Sequence, residues 1–173
     1  MNINVLIFFI AILLGSIFFL FKPLKIQQSK NVKEIAQIEM NNYTMYEFDT
    51  QKLVNLAIGK KALRYKDRDV LSHFVFNDNS NDALVSLSAN YGVYKNDTID
   101  LKGQVLYTKS DGIEFRSEHV FYDRKKAYAK SDLPYTAFMG KNWIKGRSLY
   151  YDLKKDKIRS KDIYAVYHIQ KRN

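Results

Sequence analysis

From Val85 to Val166, apolar and polar residues alternate with a period of two, and one strand-turn-strand unit is written three times. The first copy is Leu87-x-Ala89, Val93-Tyr94 and Leu101-x-Gly103-x-Val105. The second is Phe115-x-Ser117, Val120-x-Tyr122-Asp123 and Ala129-x-Ser131-x-Leu133. The third is Ile144-x-Gly146, Leu149-x-Tyr151-Asp152 and Ile158-x-Ser160. Leu87, Phe115 and Ile144 are spaced by 28 and 29 residues, and Tyr94, Tyr122 and Tyr151 keep the same two offsets. The period of two predicts strands. Self-similarity at a fixed period predicts a stacked or rolled β architecture whose units bury their apolar faces against neighbours.

Within the second and third copies the alternation changes face at the same place. Ile113, Phe115 and Ser117 are odd and Val120 and Tyr122 even, while Ile144 and Gly146 are even and Leu149 and Tyr151 odd. One extra residue re-aims every side chain after it, so bulges are expected near Glu118-His119 and Arg147-Ser148. Bulges bend strands and let a sheet curl round a cavity. Small residues recur once per copy at Ala89, Ser117 and Gly146, where a bulky side chain would obstruct a neighbouring strand or a ligand. Gly59, Gly103 and Gly140 serve the same end or mark bends. Asp123 and Asp152 open two of the turns, each able to accept backbone hydrogen bonds.

Strands are predicted at Tyr43–Phe48, Leu53–Tyr65, Ser72–Phe76, Leu84–Tyr94, Thr98–Tyr107, Ile113–Tyr122, Ala127–Ser131, Tyr135–Phe138, Trp143–Tyr151 and Ile158–Ile169. Turn signals separate them at Asp67-Arg68-Asp69, Asn77-Asp78-Asn79, Lys95-Asn96-Asp97 and Ser110-Asp111-Gly112. Two prolines and seven glycines, with no Gly/Ser linker, fit one domain. Alternation tells which residues share a face. It does not tell whether that face closes into a core or lines a groove.

Residues 3–21 are apolar apart from Asn4 and Ser16 and carry no charge. As a helix, Val5–Phe21 would rise about 25 Å, short of a ~30 Å hydrocarbon core but workable with local thinning. A cleavable signal wants a basic start and small residues before the cut. Met1-Asn2-Ile3-Asn4 has no Lys or Arg, and Phe21 is followed by Lys22-Pro23. The run is therefore read as an uncleaved anchor over residues 1–26, followed by a β domain over residues 27–173. Ala11-x-x-x-Gly15 puts two small residues on one helical face, a contact for another transmembrane helix or only the usual abundance of small residues in spans. Lys22, Lys25, Lys30 and Lys33 all follow the span, which by the positive-inside rule alone would place the domain in the cytoplasm.

Catalytic chemistry finds little support. His73, His119 and His168 are isolated, there is no cysteine, and no metal-ligand spacing, phosphate loop, dinucleotide fingerprint or nucleophile elbow occurs. Asp123 and Asp152 could be paired carboxylates, but equivalent turn positions of a repeat already account for them. Neither an enzyme, a cofactor nor a metal site is expected. The 28 Lys and Arg against 18 Asp and Glu give a net charge of +10, interleaved with 13 Tyr and 11 Phe. On an anchored all-β domain that charge fits an anionic amphiphile or an acidic membrane surface better than nucleic acid. Lysines in turns also solubilise a sheet and blunt its edges.

With its single N-terminal span and the segments Leu87-Ser88-Ala89-Asn90-Tyr91, Leu101-Lys102-Gly103-Gln104-Val105, Val120-Phe121-Tyr122-Asp123 and Gly146-Arg147-Ser148-Leu149-Tyr150-Tyr151-Asp152, the chain resembles the LptC family of the lipopolysaccharide-export machinery. The resemblance implies a twisted, partly open β-jellyroll behind an inner-membrane anchor, with its domain in the periplasm against the lysine pattern. It implies that lipid A acyl chains of lipopolysaccharide lie in an apolar groove. It implies edge-strand pairing with the inner-membrane ABC transporter at the N-terminal edge and with the soluble bridge protein LptA at the C-terminal edge. ATP hydrolysis would belong to the transporter.

On that basis Leu87, Ala89, Ile99, Leu101, Val105, Phe115 and Ile144 are the candidate groove-lining residues, the alternative being a closed core. Tyr43, Tyr46 and Phe48 are candidates for the N-terminal edge, and Ile163, Tyr164, Val166 and Tyr167 for the C-terminal one. The run Ile158–Ile169, proline-free and rich in β-branched and aromatic residues, is expected to be one long terminal strand open to a partner. Two other classes stand beside lipid transport: an anchored protein-binding scaffold without lipid, and a membrane-attached hydrolase.

Overall fold

The computed structural model describes residues 34–80 and 83–168. The predicted span, with Ala11 and Gly15, lies outside them. Among the described residues no helix is long and apolar enough to cross a membrane. The chain forms a 12-stranded antiparallel sheet of β1 (Ile38–Phe48), β2 (Leu53–Arg64), β3 (Asp69–Asp78), β4 (Val85–Lys95), β5 (Thr98–Lys109), β6 (Ile113–Asp123), β7 (Tyr128–Ser131), β8 (Tyr135–Met139), β9 (Asn142–Gly146), β10 (Ser148–Asp152), β11 (Lys157–Lys161) and β12 (Tyr164–Val166). Aspartates start the turns as their chemistry suggests. Asp123 Oδ1 accepts the Lys126 amide at 2.8 Å, and Asp152 Oδ1 accepts those of Lys154 and Lys155 at 3.1 Å.

β1 to β6 are long hairpin-connected strands, and across all of them runs one line of irregularity. It begins at Asn42 in β1, with φ of 50°, and passes His73 in β3, with φ of 45°. Gly103 and Gln104 in β5 follow, both left-handed, where the register of β5 slips against β4 and β6. At this crease the sheet divides into two half-sheets. Beyond β6 they part completely. Residues 113–117 of β6 pair with β8, which leads to β9 and β12, while residues 121–123 pair with β7, which leads to β10 and β11.

The expected face changes are present, by a different route. β6 runs unbroken past Glu118 and simply changes partner there; the extra residue sits opposite, in β5, because Lys102 pairs with His119 and Val105 with Ser117. The predicted Trp143–Tyr151 strand is two strands parted at Arg147. The expected terminal strand Ile158–Ile169 is likewise two, broken at Asp162, whose φ of 51° ends the extended run; Ile169 lies outside the described residues.

The core sits in the crease. Phe74, Ala89, Leu101 and Val105 form its closed part, with Leu71, Phe76, Leu87, Ile99 and Val120 packed against them. Each fully buried Val, Leu or Phe contributes roughly 1.5–3 kcal/mol. Small residues let the half-sheets approach. A Cβ on Gly92 would lie 2.9 Å from the Phe74 ring, and one on Gly146 would lie 2.6 Å from Tyr135 and 2.5 Å from Ser160 Oγ. The fork is closed by hydroxyls: Ser131, fully buried, meets Ser117 at 2.9 Å, and the Tyr135 hydroxyl donates to Ser160 at 2.9 Å.

Candidate functional site

Moving outward from the crease, each half-sheet turns apolar side chains toward the other. In the first half-sheet one row of register partners crosses nine strands: Met45, Ala57, Phe76, Leu87, Tyr107, Phe115, Ala137, Ile144 and Ala165. In the second, the matching row carries Tyr94, Ile99, Tyr122, Ala129, Tyr151 and Ile158. From Ala57 to Ile144 the first row is half-buried, and in the second row Ile99, Tyr122, Ala129 and Tyr151 are half-buried as well. The buried crease is thus a floor flanked on either side by a half-buried apolar row.

The residues that the sequence offers as a groove lining divide between this floor and the flanking rows. Ala89, Leu101 and Val105 are buried in the floor, Val105 with only 2% of its surface exposed. Leu87 and Ile99 pack on that floor, and Phe115 and Ile144 stand half-buried in the first row, Phe115 stacked on Tyr135 at 5.5 Å. The sequence reading did not name Phe76, Tyr107, Tyr122 and Tyr151, which stand in the same rows. Tyr107 was within reach of it, two positions beyond Val105 on the same face of β5.

The edges differ from each other. Among the described residues β1, eleven residues long, pairs with β2 alone. Tyr46 and Phe48 project from it, 68% of Phe48 being exposed, with their rings 6.4 Å apart. Tyr43 does not project; its ring is buried over Gly59, and burial raises its phenol above the usual range. At the opposite end β11 and β12 are separate short edges. Ile163 lies in the bend between them, and Tyr164 is exposed and packs 5.4 Å from Trp143. Val166 is half-buried, and Tyr167 follows the strand, exposed.

Polar side chains in the described residues join in pairs and short exposed chains, such as Glu34–Arg68–Asp67–Lys95 and Lys102–Asp100–His119. His119 meets Asp100 at 2.6 Å on the outer face, Asp123 and Asp152 are engaged in their turns, and no group of three metal-ligating side chains occurs among the described residues.

The family profile described as LptC, "Lipopolysaccharide-assembly, LptC-related", matches residues 5–162. No curated protein sequence matches significantly. Among solved structures the chain is similar to LptH of Pseudomonas aeruginosa, described as the LptA homologous periplasmic component of the lipopolysaccharide transport device. The identity is 9% and the TM-score 0.44, over 76% of this chain and 94% of that one.

Proposed function

Since the chain belongs to the LptC family of lipopolysaccharide-assembly proteins, we propose that its cleft holds the lipid A acyl chains of lipopolysaccharide between the inner-membrane ABC transporter and the periplasmic bridge protein LptA. A role in lipopolysaccharide transport comes with the family, whose members are in general anchored in the inner membrane and periplasmic. The observation that carries the finer reading is the pair of half-buried apolar rows beyond the closed crease. An acyl chain needs walls that water wets poorly and a mouth wide enough to enter sideways. In this reading residues 1–26 anchor the chain, β1 with Tyr46 and Phe48 receives the transporter's periplasmic part, and Ile163, Tyr164, Val166 and Tyr167 meet the bridge protein by strand addition.

The test places a photo-reactive residue in the full-length chain, co-expressed with the transporter. Phe115 and Ile144 positions are expected to crosslink to lipopolysaccharide, and Thr108 and Glu114, register partners on the other face of β5 and β6, are not. Equal labelling of both faces would remove the cleft from the mechanism. Topology is tested separately, by a cysteine at Asn79 and an impermeant thiol reagent in cells with a permeabilised outer membrane. Labelling is expected before inner-membrane lysis, and labelling only after lysis would reverse the orientation.

A further inference from the structure

Three hairpin turns at one end of the second half-sheet join into a ridge: residues 96–97 between β4 and β5, 124–127 between β6 and β7, and 153–156 between β10 and β11. Backbone hydrogen bonds tie each turn to the next. The Arg124 amide donates to the Asp97 carbonyl, and the Leu153 amide to the Ala127 carbonyl, both at 2.9 Å. The ridge is basic. Arg124, Lys125, Lys126, Lys154 and Lys155 stand exposed on it, with Lys157 exposed just behind. Its carboxylates are turned to the chain itself: Asp123 and Asp152 hold turn amides, Asp156 accepts the Tyr151 hydroxyl at 2.8 Å, and Asp97 accepts that of Tyr94 at 3.4 Å. Of the six cations only Lys126 has a carboxylate within ion-pair distance among the described residues, Asp123 at 3.7 Å. The turns at the opposite strand ends differ. Their described residues carry Asp49, Lys52, Asp111 and Lys141, two of each sign.

Cations gathered on neighbouring turns repel one another, and an extended anionic surface relieves that repulsion. Such a surface asks for no convergence on one point, since each Lys or Arg within a Debye length of it adds its own attraction. Leu153, 40% exposed, stands among the lysines as an apolar tip of the kind that enters a headgroup layer. The entry of the chain points to the same occupant. The Gln37 amide donates to the Arg64 carbonyl at 2.7 Å and Glu34 pairs with Arg68 in the β2–β3 turn, so β1 begins at the ridge end of the sheet. Residues 22–33, between the apolar run and Glu34, reach at most about 43 Å. They hold four lysines and no carboxylate, the same sign as the ridge. We propose that the ridge docks on the acidic phospholipid surface of the bilayer that holds the anchor. The proposal rests on reading residues 1–26 as an anchor, and is independent of what the cleft holds.

The test uses the full chain, which has no cysteine of its own, with one fluorophore at Leu153→Cys on the ridge or at Lys141→Cys at the opposite end. The protein is reconstituted in vesicles of phosphatidylcholine alone, or of phosphatidylcholine and phosphatidylglycerol in equal parts, with spin-labelled headgroups as quencher. At low salt the ridge fluorophore is expected to be quenched more on the anionic vesicles than on the neutral ones, and the opposite one equally on both. Salt at about 1 M, which screens charges beyond about 3 Å, is expected to abolish the difference. Lys125→Gln and Lys154→Gln are each expected to lower the ratio of docked to free ridge about fivefold, and Lys52→Gln at the opposite end to leave it unchanged. Equal quenching of the ridge on both vesicles would overturn the docking, as would an equal effect of Lys52→Gln. Flotation with neutral vesicles in high salt reads the anchor separately. A chain that floats there without ridge quenching on anionic vesicles keeps the anchor and loses the ridge. A chain that fails to float there, yet floats with anionic vesicles at low salt until Lys125→Gln is made, loses the anchor and keeps the ridge's affinity for acidic lipid. All the substituted side chains are exposed, and a wild-type circular dichroism spectrum confirms that each variant is folded.

Discussion

Gly146 and Tyr43 show how single positions decide what packs at the crease. Gly146 lies beneath Tyr135 and beside Ser160, and a methyl group there would meet both within 2.6 Å. Gly146→Ala is expected to cost about 1–3 kcal/mol through forced displacement of the ring, seen as a lowered midpoint in thermal unfolding. That a small residue belongs at this position was legible from Ala89, Ser117 and Gly146 recurring once per copy. The residue that fills the space was not, because Tyr135 lies outside the repeated phrase. Tyr43 lies over Gly59 in the same way, and burial favours its neutral phenol. Its ionisation is raised above the ordinary value of 10.0. The corresponding stability is therefore fully present below pH 10 and is lost as pH rises through the higher folded value. Tyr43→Phe is expected to unfold at higher pH than wild type in an alkaline titration followed by circular dichroism; coincident curves would remove Tyr43 from the alkaline transition.

Among the elements, β2 to β5 were read from period and turn chemistry within about three residues, β1 begins five residues before the expected Tyr43, and the fork itself was not read. A change of face reports that something interrupts the pleat near Glu118 and Arg147. It is blind to whether a strand bulges, breaks or exchanges one partner for another, because hydrogen-bond partners leave no mark on alternation. Asp162 hid the division of β11 from β12 for a related reason: a left-handed aspartate carries a weaker signal than a glycine. The edges as found allow a test by proline substitution. Val166→Pro in three-residue β12 and Tyr46→Pro in β1 alter strands paired on one side only. Both proteins are expected to stay folded, the first with weakened capture of LptA and the second with weakened capture of the transporter's periplasmic part. Leu106→Pro, in β5 with both sides paired, is expected to unfold the domain. Undiminished capture by both folded edge variants would reject docking by strand addition.

For the whole molecule, the choice between closed core and open groove could not be made from the sequence, since alternation says which way a side chain points and nothing of how far away the facing wall stands. In the structure Leu101 and Val105 are closed in, while Phe115 and Ile144 stand half-buried. On the proposed reading, lipid seated against these rows stabilises the fold it binds. Lipopolysaccharide at a hundred times its dissociation constant is expected to raise the stability of the full chain by about 2.7 kcal/mol, read as a higher melting midpoint in detergent. An unmoved midpoint at saturating lipid would place the lipid elsewhere.

The crease has a consequence for assembly. β1 crosses it as one bent strand, whereas the far side presents β11 and β12 as two stubs set apart at Asp162. A chain joining at β1 meets a single continuous template and need only copy its kink. A chain joining at the far side must supply either a strand kinked to the same angle or two independent ones. The two ends are thus plug and socket of different gauge. Units laid end to end acquire a direction from backbone geometry alone, and a row of them would read the same way from its first member to its last.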